Sequence, residues 1–157
     1  MVILWFLLCV LLGTVYGNFA EWFLHKHLLH RFGKNKNSMW GFHWKDHHKY
    51  ARQNKFYDLD YLKPISWTTR GKELLGLALL ALAHSPLLLV APGFAMGVYF
   101  HMALYYYTHC KSHTNPNWGY KYLRWHWDHH MGKNQDANWC VTYPLADYIM
   151  GTREHNT

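Results

Sequence analysis

Fourteen histidines occur in 157 residues, and eleven of them fall into four short groups. They are His25, His27 and His30 in HKHLLH; His43, His47 and His48 in HWKDHH; His109 and His113 in HCKSH; and His126, His129 and His130 in HWDHH. Residues three or four apart share a helix face. That places His43 with His47, His109 with His113, and His126 with both His129 and His130. His25 and His30 are five apart, about 140° around an ideal helix. They serve one site only if the helix end is distorted, and His27 is placed to replace either.

A lone histidine is usually a partly buried polar residue. Eleven packed imidazoles are different, because they repel one another when protonated and lack hydrogen-bond partners when neutral. A metal resolves both difficulties by binding the neutral nitrogen. So many imidazoles exceed what one ion takes and suit two. Imidazole accepts zinc, copper and iron alike. A structural zinc site closes with four ligands, often including cysteine, whereas Cys9, Cys110 and Cys140 are scattered and form no CxxC pair. The HExxH pattern of metalloproteases is absent, and so are the Glu-x-x-His pairs of carboxylate-bridged bundles, since Glu21, Glu73 and Glu154 are the only glutamates.

The elements that must position these groups read as membrane helices. Residues 1–20 carry no charge, and as a helix they span about 30 Å, the thickness of a bilayer core. No basic residue precedes this run, which flows straight into the first histidine group, so a retained span over 1–24 is expected rather than a cleaved signal. A second uncharged run, 74–110, is interrupted by Pro92-Gly93. At about 55 Å it is too long for one crossing, and it reads as a hairpin of spans 74–91 and 94–110, with Pro86 kinking the first. The stretches 33–41 and 114–120 read as turns. No alternating strand pattern is convincing. The expected fold is therefore all-α: one integral membrane domain over 1–157, with about three spans and a histidine-rich helical cap.

Residues 31–72 hold ten Lys or Arg against three Asp, and 111–157 hold five more basic residues. The positive-inside rule puts both segments, and with them all four histidine groups, on the cytoplasmic side. A net charge of +7 beside membrane spans suits anionic headgroups better than nucleic acid.

The four ordered motifs, HxxxxH, HxxxHH, HxxxH and HxxHH around a hairpin, resemble the fatty acid hydroxylase superfamily, which includes fatty acid 2-hydroxylases, sterol desaturases and, more distantly, carotene hydroxylases. The tail NWCVTYPLADYIMGT, 138–152, is similar to the segment that follows the last motif there. The second motif departs from the common pattern, with three residues before its His pair where two are usual. The resemblance implies His25, His30, His43, His47, His48, His109, His113, His126, His129 and His130 as ligands of two metal ions. Iron is expected, with zinc able to occupy purified protein. It further implies dioxygen-dependent hydroxylation of a lipid C–H bond, a fatty-acyl chain above all, with lipid or sterol desaturation and carotenoid hydroxylation as alternatives. The setting would be a bacterial inner membrane or the endoplasmic reticulum.

Asp46 and Asp128 each precede a His pair, and Glu21 lies four before His25; all three are placed to orient imidazole N–H groups, with capping or solubility as the plainer role. Tyr105, Tyr106, Tyr107, Trp125 and Trp127 read as an interfacial aromatic belt, or alternatively as the lining of a lipid channel. His84 and His101 lie within the spans and are expected to bond neighbouring helices. No flavin or nicotinamide motif is present, so electrons are expected from a separate donor, a cytochrome b5-like protein or a ferredoxin and its reductase. Two rivals remain: a membrane metal buffer, and a haem held by His84 and His101.

Overall fold

The charge-free opening folds as one long helix, α1 (Val2–Phe23), which continues without a break into a π-helix (Leu24–Phe32). The protein is described by a computed structural model covering residues 1–35 and 37–155, and no strand occurs among the described residues. Lys36, inside the expected turn 33–41, lies outside them. A second π-helix (Phe42–His48) leads into α2 (Lys49–Gln53) and a 3₁₀ turn (Leu59–Leu62). The hairpin is α3 (Thr69–His84), a single turn α4 (Leu87–Val90) and α5 (Pro92–Thr114). Short helices α6 (Pro116–Tyr122), α7 (Arg124–Met131) and α8 (Leu145–Ile149) complete the chain.

Proline chemistry sets several boundaries. Pro92 stands in the first turn of α5, where its missing N–H costs nothing. Pro86 ends α3 rather than kinking it, and itself precedes α4. The stretch 114–120 is largely the start of α6 and not a turn: the Asn115 side chain accepts from the Trp118 N–H at 3.2 Å, and Pro116 follows at the first helical position.

Only one described helix, Val2–Phe32, is long and apolar enough to cross a membrane, where three such spans were expected. The difference has a physical source. With 16 residues α3 reaches about 24 Å and opens with Arg70, Lys72 and Glu73, while α5 carries His101, four tyrosines, His109 and Lys111. In α1 the apolar window is 17% buried, and Val2, Leu4 and Leu11 are largely exposed. Such a helix is not a soluble protein's core element.

The helices nevertheless form one bundle. Helix α1 packs on α5 through Gly13 and Gly17 against Gly93, Gly97 and His101; a Cβ on Gly13 would collide with the Phe94 carbonyl oxygen, and one on Gly97 with that of Val10. Small residues at this spacing let two backbones approach closely. Helix α3 runs antiparallel to α5, the Tyr99 hydroxyl donating to the Ala81 carbonyl (3.0 Å) and Arg70 Nε to the Tyr106 hydroxyl (2.9 Å). The C-terminal segment returns to α1. There the Asn18 amide donates to the Thr142 hydroxyl and the Tyr143 carbonyl, and Glu21 accepts from the backbone of Val141 and Thr142. Trp22, Trp139, Cys140 and Ala146 pack as an apolar core at this junction.

Candidate metal centre

The first histidine group sits where α1 changes into a π-helix. A helix bonded i→i+5 winds more residues per turn, which turns His25 and His30 to one side despite their spacing of five. His27 packs outside, against Phe23 and Trp22. The second π-helix presents His43, His47 and His48; α5 contributes His109 and His113; α7 contributes His126, His129 and His130. All ten are buried, none exceeding 4% exposure.

They converge as two groups. Ring nitrogens of His25, His30, His43, His48 and His129 lie within 4.8 Å of one another, and so do those of His47, His109, His113 and His130. His126 stands apart from both groups but faces His113, Nε2 to Nε2 at 3.1 Å.

The outer nitrogens establish what the inner ones are. Nδ1 of His25, His113 and His129 each meets a backbone carbonyl, of Trp139, Phe56 (2.8 Å) and Ala137 (2.7 Å). A carbonyl only accepts, so these Nδ1 atoms carry the proton and their Nε2 atoms carry lone pairs. His47 and His109 are fixed likewise by the Asp58 carboxylate (2.7 Å) and the Glu73 carboxylate (2.6 Å), and His48 by the Gln135 side-chain oxygen (2.9 Å).

Lone pairs then face lone pairs. Nε2 of His47 lies 3.2 Å from that of His109, and Nε2 of His129 lies 3.2 Å from that of His48. His43 and His30 crowd the same space, their Nε2 atoms 2.9 Å and 3.1 Å from those of His25 and His48, but with tautomers that no contact among the described residues fixes. Two acceptors cannot bond each other. A metal between them removes the conflict: with metal–nitrogen bonds of about 2.1 Å, ligands at right angles stand roughly 3.0 Å apart. The residues therefore fit two metal ions.

Burial first, and the charge of neighbouring imidazoles next, hold His43, His47, His48, His113, His126, His129 and His130 well below 6.5. All seven are neutral at physiological pH, the state a metal requires.

The carboxylates on the cluster are not those singled out by adjacency. Asp46 is exposed and lines a polar surface pocket with Lys49 and Lys63. Asp128 is buried and pairs with Arg124 (2.9 Å) and Arg153 (3.8 Å). Glu21 accepts from Thr142 and pairs with His101 Nε2 at 3.0 Å. Asp58 and Glu73 meet the imidazoles instead, and the Tyr61 hydroxyl donates to the second oxygen of Glu73 at 2.8 Å. The signal for Glu73 was available: it is an acid closing the charge-free hairpin.

An apolar cavity of about 290 Å³ abuts the cluster. His25, His43, His109, Glu73 and Tyr61 wall it at the metal end, and it extends between α1, α3 and α5 past Leu77 and Leu80 to His84. Tyr105 lines it, while Tyr107 is exposed and the Trp125 indole donates to the Val141 carbonyl. His84 and His101 join helices: Tyr16 donates to His84 Nε2 at 3.1 Å, and His101 binds Glu21.

Comparison with known proteins gives one family. The profile of the fatty acid hydroxylase family matches residues 10–152. No curated protein and no solved structure matches the chain.

Proposed function

The chain belongs to the fatty acid hydroxylase family, and from that premise we propose that it is a membrane di-iron oxygenase hydroxylating a lipid C–H bond, a fatty-acyl chain above all. The observation that carries this reading is the apolar cavity ending on His25, His43 and His109. A chain lying in it would bring a methylene group up to the histidine cluster, which a metal store has no need to do.

His25, His30, His43, His48 and His129 would hold one iron, and His47, His109, His113 and His130 the other, with His126 beside His113. When bound, the two ions supply dioxygen activation and the oxidising power to break the C–H bond. The protein does the rest. Backbone carbonyls hold His113 and His129, and the Asp58 and Glu73 carboxylates hold His47 and His109, each with its lone pair inward. Leucines of the π-helix that follows α1 and of α3 keep water from the cavity, which favours reaction of the bound chain over side reactions. Tyr61 and Glu73, joined by a hydrogen bond, place a proton-bearing group beside the cluster.

In the bilayer, residues 1–24, 74–91 and 94–110 are the three spans of this reading, with all four histidine groups at the cytoplasmic face of the endoplasmic reticulum or a bacterial inner membrane. Electrons come from a separate cytochrome b5-like protein or ferredoxin. Lipid mass spectra of cells expressing the chain or its His129→Ala variant test the proposal. A lipid heavier by one oxygen, present only with the native chain, is the expected result. Identical lipids in both, with metal passing freely to chelators, would favour a metal buffer.

A further inference from the structure

The two histidine groups differ in what stands behind them. In the group of His47, His109, His113 and His130, two outer nitrogens meet buried carboxylates: His47 Nδ1 with Asp58 at 2.7 Å and His109 Nδ1 with Glu73 at 2.6 Å, the acids being 4% and 8% exposed. In the group of five, the outer nitrogens of His25, His48 and His129 meet a carbonyl, an amide and a carbonyl oxygen, all neutral. His30 has an acid near it, Asp136 at 3.6 Å, but that acid is 56% exposed and bound to Lys34 at 2.6 Å.

A carboxylate behind an imidazole raises its basicity and adds negative charge close to a cation, in surroundings that screen it poorly. A neutral oxygen orients the ring without supplying charge. Resting on the two-metal reading above, we infer that the two positions are unequal: Glu73 and Asp58 make the His47/His109/His113/His130 position the tighter one, and the five-histidine position releases its ion first. Glu73 also lines the apolar cavity, so the more strongly held ion is the one whose supporting acid borders the substrate space. Both acids are positioning residues, acting on the metal through His47 and His109.

The test uses the full chain in detergent micelles, loaded with Co(II) and titrated with a chelator, with bound metal read by elemental analysis and visible absorption. Native protein should lose its two ions in separate steps at least tenfold apart in chelator. Glu73→Gln keeps an oxygen for the His109 N–H and removes the charge; it should move the later step about 10- to 100-fold toward the earlier one and leave the earlier step in place. Asp58→Asn should do the same through His47. Gln135→Glu, which places a charge behind His48 without altering shape, should move the earlier step later and close the gap; it serves even if either neutralised variant fails to fold. A single step in native protein, or variants that leave both steps unmoved or shift both equally, would overturn the inference while two bound ions kept the metal reading intact. Failure to bind any metal would instead end that reading.

Discussion

Lowering the pH on metal-free protein should unfold the histidine layer within about one unit. Seven imidazoles outside the spans are neutral in the fold because burial and their neighbours hold them well below 6.5. In the unfolded chain each takes up a proton near 6.5. The unfolded state then binds more protons, so the stability these groups contribute is complete above 6.5 and is lost as pH falls from there toward the lowered folded values. At pH 5.5 each group costs on the order of 1 kcal/mol, and the seven together cost roughly 7 to 10 kcal/mol, comparable to the whole stability of a typical domain. Near-ultraviolet circular dichroism reports this well, since Trp44 packs on His30 and His48, and Trp139 packs on His25, His30 and His129. Metal-free protein should lose that signal between pH 6.5 and 5.5 with an uptake of several protons, and metal-loaded protein should hold it to lower pH. Metal-free protein that keeps its signal to pH 4, or a transition linked to a single proton, would refute the reasoning.

Three further outcomes are expected. His129→Ala and His47→Ala should each lose at least one ion, whereas His27→Ala should keep both, because His27 packs on Phe23 and Trp22 outside the groups; elemental analysis decides. Gly97→Leu drives a side chain into the Val10 carbonyl on α1 and should sharply reduce the yield of folded, metal-binding protein in detergent. At Gly76, which lines the cavity and has nothing within 4 Å of its missing Cβ, a phenylalanine should leave folding and metal content intact while lowering lipid turnover at least tenfold; unchanged turnover would mean that the cavity is not the lipid's path.

The convergence of the histidines was legible in the sequence because helical spacing reports a shared face directly. His43 with His47, His109 with His113, and His126 with His129 and His130 follow from it, as does the all-helical fold. His25 and His30 needed a helix geometry that spacing alone does not announce, and the π-helix over Leu24–Phe32 supplies it. The carboxylates that meet the outer nitrogens were not legible for a related reason. A residue next to a ligand on a helix points about 100° away from it, so Asp46 faces outward. The acids that reach the rings arrive from elements folded over the cluster, Asp58 eleven residues after His47 and Glu73 thirty-six before His109. Such tertiary pairings leave no periodic trace. The hairpin was visible as a charge-free run, but its division was not, because Pro86 ends a helix as readily as it bends one.

The most direct test of the central claim is a labelled-oxygen experiment. Protein loaded with Fe(II) in lipid nanodiscs, given a reduced ferredoxin or cytochrome b5 system and ¹⁸O₂, should yield a membrane lipid carrying one labelled oxygen atom, in an amount that tracks bound iron and disappears with His129→Ala. A product lighter by two hydrogens would assign desaturation to the same site. Iron-loaded protein that consumes no oxygen with any of several lipid classes and donors, and gives up its iron readily to chelators, would contradict the account.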